Sequence, residues 1–314
     1  ESKRSAIKNY QNLFSKQQRW IPCENDINSV DKFTLENWKE RLFFERLERK
    51  STEMNVLLAN SNNDFEAVLF QLMAKNFGLK VNGEAFLSLS QSFDFSILRK
   101  VRFDEIQLAA LLFGQAGFLE DIIEDSYYLE LKKEFAYLKH KYGLQPIVKN
   151  QFSFFRMRPS NFPTIRIAQL VSLFHQQENL FSKLIKIKTP EEFYNLFEVS
   201  MNSYWKTHYN FNKESKSSPK KLTKSFIDLL LINTIIPFKF LYQKNRGEVN
   251  ENEFLELLKE IKPEKNNIIS KFKVIKIESK NAFETQSLLE LKNNYCAKKR
   301  CLQCAIGVKL LNKK

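Results

Sequence analysis

Glycine and proline are scarce in this chain of 314 residues, which contains only 7 glycines and 8 prolines. Sheets with many tight turns depend on glycine, proline and Asn-Gly pairs to reverse the chain. Long helices need few such residues, and apolar side chains recur at helical spacing along much of the sequence. The sequence therefore predicts an all-α fold, an irregular multi-helix bundle with at most one short strand pair.

The sequence shows no apolar run typical of a secretory leader or a membrane span. Residues 1–5 precede no apolar stretch, and the longest apolar run, Ile227–Phe240, is interrupted by polar residues and by Pro237. We therefore expect a cytoplasmic protein that does not enter a membrane. In a reducing compartment, cysteines are thiols or metal ligands more often than disulfides.

Recognisable catalytic motifs are absent as well. The three histidines, His140, His175 and His208, are widely separated, and none lies in a metal-binding or nucleophile motif. The sequence also has no hydrolase elbow, kinase motif set or dinucleotide-binding fingerprint. Whether the protein is an enzyme therefore stays open.

Positive charge is present in excess and is unevenly distributed. The net charge is +14, and residues 212–314 contain 22 Lys and Arg against 11 Asp and Glu. The first 211 residues are close to balanced, with 28 against 25. A basic surface of this kind attracts phosphate backbones, so we expect DNA or RNA as a partner. The alternative is that these lysines only keep the surface soluble.

The same composition suggests a division of the chain. We predict a helical domain over residues 1–211 and a basic helical segment over 222–314, which packs on it and ends in the cysteine-rich region. Residues 212–221, polar and rich in Ser and Lys, are predicted to be a linker or mobile loop. Asn9–Gln18 is predicted as a short helix, and Lys271–Ile277, where apolar residues alternate with lysines, as a short strand.

Three of the four cysteines are concentrated near the C-terminus. Cys296, Cys301 and Cys304 follow the spacing C-x4-C-x2-C, and Cys23 follows a proline near the N-terminus. Zinc and [4Fe–4S] clusters both accept four thiolates, and short spacings let a chain curl round one centre. We predict a metal site with Cys23 as fourth ligand and favour iron–sulfur slightly over zinc. The alternative is small, buried apolar side chains.

A second candidate site lies in the segment 156–166. Arg156, Arg158 and Arg166 stand with Asn161 around two prolines that force an extended stretch before a helix. Such a turn can hold a phosphate or carboxylate between backbone N–H groups and guanidinium groups. The alternative is a structural turn whose arginines cap helices or pair with glutamates.

Between the clustered cysteines lies a run of three cations. Lys298, Lys299 and Arg300 occupy the loop between Cys296 and Cys301. We predict that they contact nucleic-acid phosphates, which position a protein without reading the base sequence.

Five segments together resemble an uncharacterised bacterial family known only as a domain of unknown function. They are Trp20–Cys23, Arg46–Lys50, Phe113–Gly117, Arg158–Gln169 and Cys301–Gly307. The resemblance implies that relatives carry an additional N-terminal part similar to a restriction-endonuclease core, and that this chain is the helical C-terminal portion. Some nucleases of that class tie a [4Fe–4S] cluster between one early and three late cysteines, an arrangement similar to the one found here.

The function hypothesis combines these signals. It is a nucleic-acid-associated helical binding module with a structural metal site, and membership of a larger nuclease-like protein is one version of it. The alternatives are a protein–protein interaction scaffold without a nucleic-acid role and an enzyme that acts on a phosphorylated ligand.

Overall fold

The computed structural model describes residues 7, 8, 11 and 19–312. Within them helices dominate, and the sheet they contain is one antiparallel pair of short strands, β1 (His208–Asn210) and β2 (Lys213–Glu214). The predicted all-α fold with at most one short strand pair is confirmed. Apart from Gln11, the predicted helix Asn9–Gln18 lies outside the described residues.

Side-chain caps start many of the helices. Asp64, Asp104 and Asn266, for example, each accept hydrogen bonds from two backbone N–H groups in the first turn that follows. The α-helices are α1 (Lys32–Asn60), α2 (Phe65–Phe77), α3 (Leu79–Gln91), α4 (Phe95–Val101), α5 (Glu105–Gln115), α6 (Ser126–Tyr142), α7 (Pro163–Gln176), α8 (Leu180–Lys186), α9 (Pro190–Leu196), α10 (Ser203–Thr207), α11 (Lys224–Leu230), α12 (Ile236–Arg246), α13 (Glu251–Glu260), α14 (Asn267–Val274), α15 (Ala282–Glu290) and α16 (Ala305–Leu311).

The chain divides into two compact units. The first unit contains residues 1–53 and 243–314, and the second contains residues 54–242. The first unit therefore combines the two ends of the sequence. This division follows spatial clustering, whereas the predicted division at residues 212–221 follows composition and stays a prediction.

The core of the first unit joins segments that are distant in sequence. Trp38 of α1 packs edge-on against Tyr295, with ring centroids 5.2 Å apart, and Ile21 and Leu288 are buried in the same cluster. Burial of these apolar side chains is the main force that holds the two sequence ends together.

The predicted strand at Lys271–Ile277 is wrong, because most of that segment belongs to helix α14. Asn266 caps the helix by accepting from the N–H groups of Ile268 and Ile269, each at 3.0 Å. Phe272 is fully buried, with Ile268 and Ile269 packed against the same core. Capping and a helical set of apolar contacts outweigh the local alternation that predicted a strand.

Helix α7 is the central element of the second unit, and every residue from Pro163 to Phe174 is buried.

Helices α5 and α6 cross closely at Gly114. A Cβ atom on Gly114 would lie 2.1 Å from the ring of Phe135, so only glycine permits this approach.

Residues 224–246 form one continuous helical stretch, interrupted only by a π-helical segment at Leu231–Ile235. By length and composition the stretch is apolar enough to cross a membrane, with a mean hydropathy of 1.5 in its most apolar window. However, 72% of that window is buried inside the protein, as in the core helix of a globular protein. This stretch is therefore weak evidence for a membrane span.

Candidate metal centre and anion pocket

The four cysteines all belong to the first unit. Cys23 lies in the loop before a short 3-10 helix at Ile27–Ser29, and Cys296 ends the π-helical turn that continues α15. Cys301 begins another 3-10 turn, and Cys304 directly precedes α16. Three of the four are buried, Cys296 is half-buried, and all are free thiols.

The four thiols lie close enough together to influence one another's pKa. The pKa of Cys23 is raised to about 12, mainly by burial, with smaller contributions from negative charge on Cys304 and Cys301. Burial also raises the pKa of Cys296, and Cys23, Cys304 and Cys301 add to that rise. Each thiol is therefore close enough to the other three to feel their charge. The structure brings together all four cysteines that the sequence singled out.

Hydrogen-bond donors converge on one sulfur of this cluster. Burial raises the pKa of Cys304, and hydrogen bonds from the backbone N–H groups of Gly307 and Ile306 oppose that rise. The indole of Trp38 acts in the same direction, and its buried Nε1–H has no partner at ordinary hydrogen-bond distance. Donors of this kind stabilise a thiolate, the form in which cysteine binds metals.

Gly307 makes the close packing of the cysteine loop possible. A Cβ atom at this position would lie 2.2 Å from the carbonyl oxygen of Cys301. The backbone at Cys301 therefore rests directly on the first turn of α16, next to Cys304. The motif Cys301–Gly307 is thus a compact turn that holds two of the thiols.

The thiol cluster does not form the tight tetrahedron of a single ion. Within the described part of the chain, no three His, Cys, Asp or Glu side chains are arranged to hold one metal ion. Four sulfurs at about 2.3 Å from one zinc ion would be in close mutual contact. The described residues therefore contain no ready-made site for a single ion.

Arg166 is the most buried of the predicted anion-binding residues. Only 7% of it is exposed, and burial lowers its pKa to about 10. Its Nη1 donates to Gln169 Oε1 at 2.9 Å, and its Nη2 donates to Asn161 Oδ1 at 2.6 Å. Its guanidinium lies 3.8 Å from the ring centroid of Phe226, and its Nε–H has no partner.

The other two arginines of this segment differ in position. Arg158 is exposed and lines a cavity together with Asn161 and Arg166. Arg156 is exposed too, but it does not line that cavity, and its guanidinium lies 5.0 Å from the ring of Phe155. The structure therefore brings together three of the four predicted residues.

Sequence reasoning missed part of this site. Gln169, Lys220 and Phe226 also line the cavity, and the side chain of Gln169 donates to the carbonyl of Lys220 at 2.8 Å. Lys220 and Phe226 lie more than fifty residues after Arg166, and no spacing rule connects them. The signal that could have found them is Gln169, a polar residue three positions after Arg166 and therefore on the same face of the helix.

The basic loop, defined here as Lys298–Arg300, is exposed in the first unit. The ammonium group of Lys298 donates to Asn294 at 2.8 Å. Arg300 donates to Gln303 at 2.6 Å, and its guanidinium lies 4.8 Å from the ring of Tyr295. These contacts order the loop and leave its charge facing solvent, as a phosphate-binding surface requires.

The buried or half-buried histidines serve structural contacts. His175 Nδ1 lies 2.8 Å from the carbonyl oxygen of Arg102, and His208 stacks on Tyr204 with ring centroids 3.9 Å apart. His140 is exposed. His208 Nδ1 also lies 3.1 Å from the hydroxyl oxygen of Thr207 and 3.0 Å from the carbonyl oxygen of Tyr204.

A family model described as a protein of unknown function (DUF2851) matches residues 1–267. The chain belongs to this family. The match includes Cys23 and the segment with Arg158 and Arg166, and it ends before the last three cysteines. No curated protein and no solved structure matches the chain.

Proposed function

We propose that the chain is a nucleic-acid-associated helical module whose first unit is stabilised by a structural metal centre. The ligands are Cys23, Cys296, Cys301 and Cys304, and the centre is a [4Fe–4S] cluster, with zinc as the alternative. The observation that carries the proposal is the gathering of all four cysteines of the chain into one cluster. Cytoplasmic location and membership of a larger nuclease-like protein remain predictions.

The chemistry of the cluster supports this assignment. Four buried thiols would keep their protons in an apolar core, because burial and mutual repulsion disfavour thiolates. A bound cation reverses that preference and releases the protons. The N–H groups directed at Cys304 would then donate to a charged sulfur.

A metal centre would also fix the two ends of the basic loop. The loop is anchored at Cys296 on one side and at Cys301 on the other. Fixing both ends presents Lys298, Lys299 and Arg300 as one cationic surface. Phosphate contacts of this surface would release counterions, so binding should weaken as salt rises.

The metal assignment is tested by purifying the chain without oxygen and measuring iron, sulfide, zinc and visible absorption. We expect Cys301→Ser to lose the metal and to unfold more easily, because structural sites supply on the order of 10 kcal/mol. The matched control is Leu302→Ser, since Leu302 is the next residue, is 64% exposed and is not a proposed metal ligand. Metal-free wild-type protein that folds as stably as the control would contradict the proposal.

The nucleic-acid assignment is tested by titrating single- and double-stranded DNA and RNA at several salt concentrations. We expect Lys298→Glu with Arg300→Glu to weaken binding uniformly across sequences and to reduce its salt dependence. Metal content should not change in this variant, because no ligand is altered. Absence of binding to both nucleic acids at low salt would refute this half of the proposal and leave the metal centre unaffected.

A further inference from the structure

A polar cavity of about 380 Å³ opens in the second unit beside α7. Its volume lies within the range of small-molecule sites. Its lining includes the guanidinium groups of Arg158 and Arg166, and Lys220 and Lys221 lie at its wall. None of the described residues that line the cavity is acidic. The cavity therefore carries a net positive charge without an internal counter-charge.

Arg166 shows that this charge is not compensated by the protein. Its two hydrogen bonds go to the neutral amide oxygens of Gln169 and Asn161, and a guanidinium has five N–H donors. Its Nε–H is buried without a partner. A buried cation is costly unless an anion pairs with it. The face of Phe226 offsets part of this cost, since it stacks on the guanidinium at 3.8 Å.

The amide contacts of Arg166 also fix its orientation. The side chain of Gln169 in turn donates to the carbonyl of Lys220, so two consecutive hydrogen bonds connect the Arg166 guanidinium to the backbone at Lys220. Each of its two Nη atoms donates one N–H to an amide oxygen and keeps a second N–H for a ligand. Such a fixed fork matches the paired oxygens of a phosphate or carboxylate.

The opposite wall adds further donors. The continuous helix that begins at Lys224 starts at the cavity, and Thr223 caps it through its hydroxyl. Ser225 and Thr223 both line the cavity, and their hydroxyl groups lie 3.2 Å apart. The N-terminus of a long helix is an additional source of positive potential for an anion.

The two lysines contribute less directly than the two arginines. Lys220 donates to the carbonyl of Lys206 at 2.8 Å, and Lys221 pairs with Glu198 at 2.9 Å. Arg158, in contrast, is exposed and lines the cavity. The positive charge available to a ligand is therefore that of Arg158 and Arg166. Two positive charges would balance a ligand with two negative charges.

We infer that this cavity binds a phosphomonoester. Two guanidinium groups, a helix N-terminus and two hydroxyl groups suit a terminal phosphate with three free oxygens better than a singly charged carboxylate. The volume leaves room for the group attached to the phosphate. The phosphate could belong to a small molecule or to the 5′ end of a nucleic acid. The inference does not depend on the metal centre, because every residue of the cavity lies in the second unit.

The test is a calorimetric titration of the full chain with inorganic phosphate, at an ionic strength held constant with chloride. We expect saturable binding to the wild type. Arg158→Gln should weaken it by about tenfold or more, as loss of a charge-assisted contact does. The matched control is Arg156→Gln, two residues away and outside the cavity, which should bind as the wild type does. Arg166→Lys, which keeps the charge but not the fork, should also weaken binding.

Two further titrations identify the source of the phosphate. They use one oligonucleotide with a 5′-phosphate and the same oligonucleotide with a 5′-hydroxyl, both with the Lys298→Glu, Arg300→Glu variant. Tighter binding of the phosphorylated strand than of both the hydroxyl strand and free phosphate supports a nucleic-acid end as ligand, and tighter binding of free phosphate than of the phosphorylated strand supports a small molecule. The inference is overturned if inorganic phosphate does not bind, or if Arg158→Gln and Arg156→Gln have the same effect.

Discussion

Arg46 in the first unit and Arg166 in the second are buried to nearly the same extent, at 5% and 7% exposure. Burial lowers the pKa of each to about 10. Their surroundings differ, however. The carboxylates of Glu264 and Glu290 act on Arg46 and oppose the effect of burial. At Arg166 no carboxylate does so, and its partners are amide oxygens.

This difference separates a structural cation from a binding one. A buried arginine surrounded by acids completes an internal network, and its removal leaves stranded negative charge. A buried arginine without acids has an unmet demand for an anion, which a ligand can supply from outside. Burial and pKa are the same in both places, so only the identity of the partners distinguishes the two roles.

The largest effect expected from this comparison is on Arg46. Replacing it by methionine keeps most of its volume but removes the cation that acts on Glu264, and it leaves Glu290 with Arg49 as its cationic partner. We expect a loss of about 3–5 kcal/mol in the free energy of unfolding, which is typical when one partner of a buried pair is removed. Urea unfolding followed by circular dichroism measures this. A smaller loss of unfolding free energy for Arg46→Met than for Arg166→Met would contradict the assignment of Arg46 as the structural cation.

The second effect concerns the carboxylate side of the same network. Glu290 accepts from Arg49 at 2.8 Å and from Asn294 at 2.7 Å, and it is 5% exposed. Glu290→Gln keeps the shape and removes the charge, so we expect a loss of about 1.5–3 kcal/mol, the usual worth of hydrogen bonds to charged groups. In the double variant with Arg46→Met the two losses should not add, since the residues share one network.

A smaller effect is expected for Arg166→Met in the absence of ligand. The change strands no carboxylate and removes the cost of burying a charge, although Gln169 and Asn161 lose a donor. We expect a change of less than about 2 kcal/mol in the free energy of unfolding. Thermal unfolding with and without phosphate should then show that phosphate stabilises the wild type and not this variant. A large loss of stability without phosphate would mean that Arg166 is mainly structural.

The smallest effect is a pH dependence. Burial raises the pKa of Glu264, and Arg46 and a hydrogen bond from Gln286 oppose that rise only in part. A carboxyl group with a raised folded-state pKa stabilises the protein fully below its unfolded pKa, and this contribution is lost as the pH rises through the folded pKa. The stability of the wild type relative to Glu264→Gln should therefore fall as the pH rises above the ordinary range of glutamate.

Glu248 provides the opposite control for that measurement. It is fully exposed, and a hydrogen bond from Arg246 lowers its pKa. Its contribution is present above the unfolded pKa and is lost as the pH falls through the folded pKa. The stability of the wild type relative to Glu248→Gln should thus rise with pH. The same sign for both variants would show that the surroundings of Glu264 are misjudged.

Local patterns predicted a large part of the fold. The scarcity of glycine and proline predicted helices, and helices dominate the described residues. The prediction failed at Lys271–Ile277, where lysines alternate with apolar residues on a short helix. In a segment of seven or eight residues, the strand and helix periods overlap, and only the core that Phe272 enters decides between them.

For the candidate sites too, the sequence predicted the residue types, whereas tertiary contacts decided which of them meet. Side-chain chemistry and short spacings were enough to single out Cys23, Cys296, Cys301 and Cys304 as possible ligands, and to single out Arg158 and Arg166. That Cys23 joins the other three depends on a contact between segments more than 270 residues apart in the sequence. Such contacts leave no local trace, because they arise from burial of apolar surface and not from spacing.

By itself, the sequence determined the helical class, the basic balance of the last third and the residue types that can bind metals or anions. Tertiary structure alone decided which of those residues meet. It gathered the four thiols in one core, and it surrounded Arg46 with carboxylates but left Arg166 without them. The physical reason is that pairing of a buried charge is set by what else is buried beside it, and that is a property of packing between distant segments.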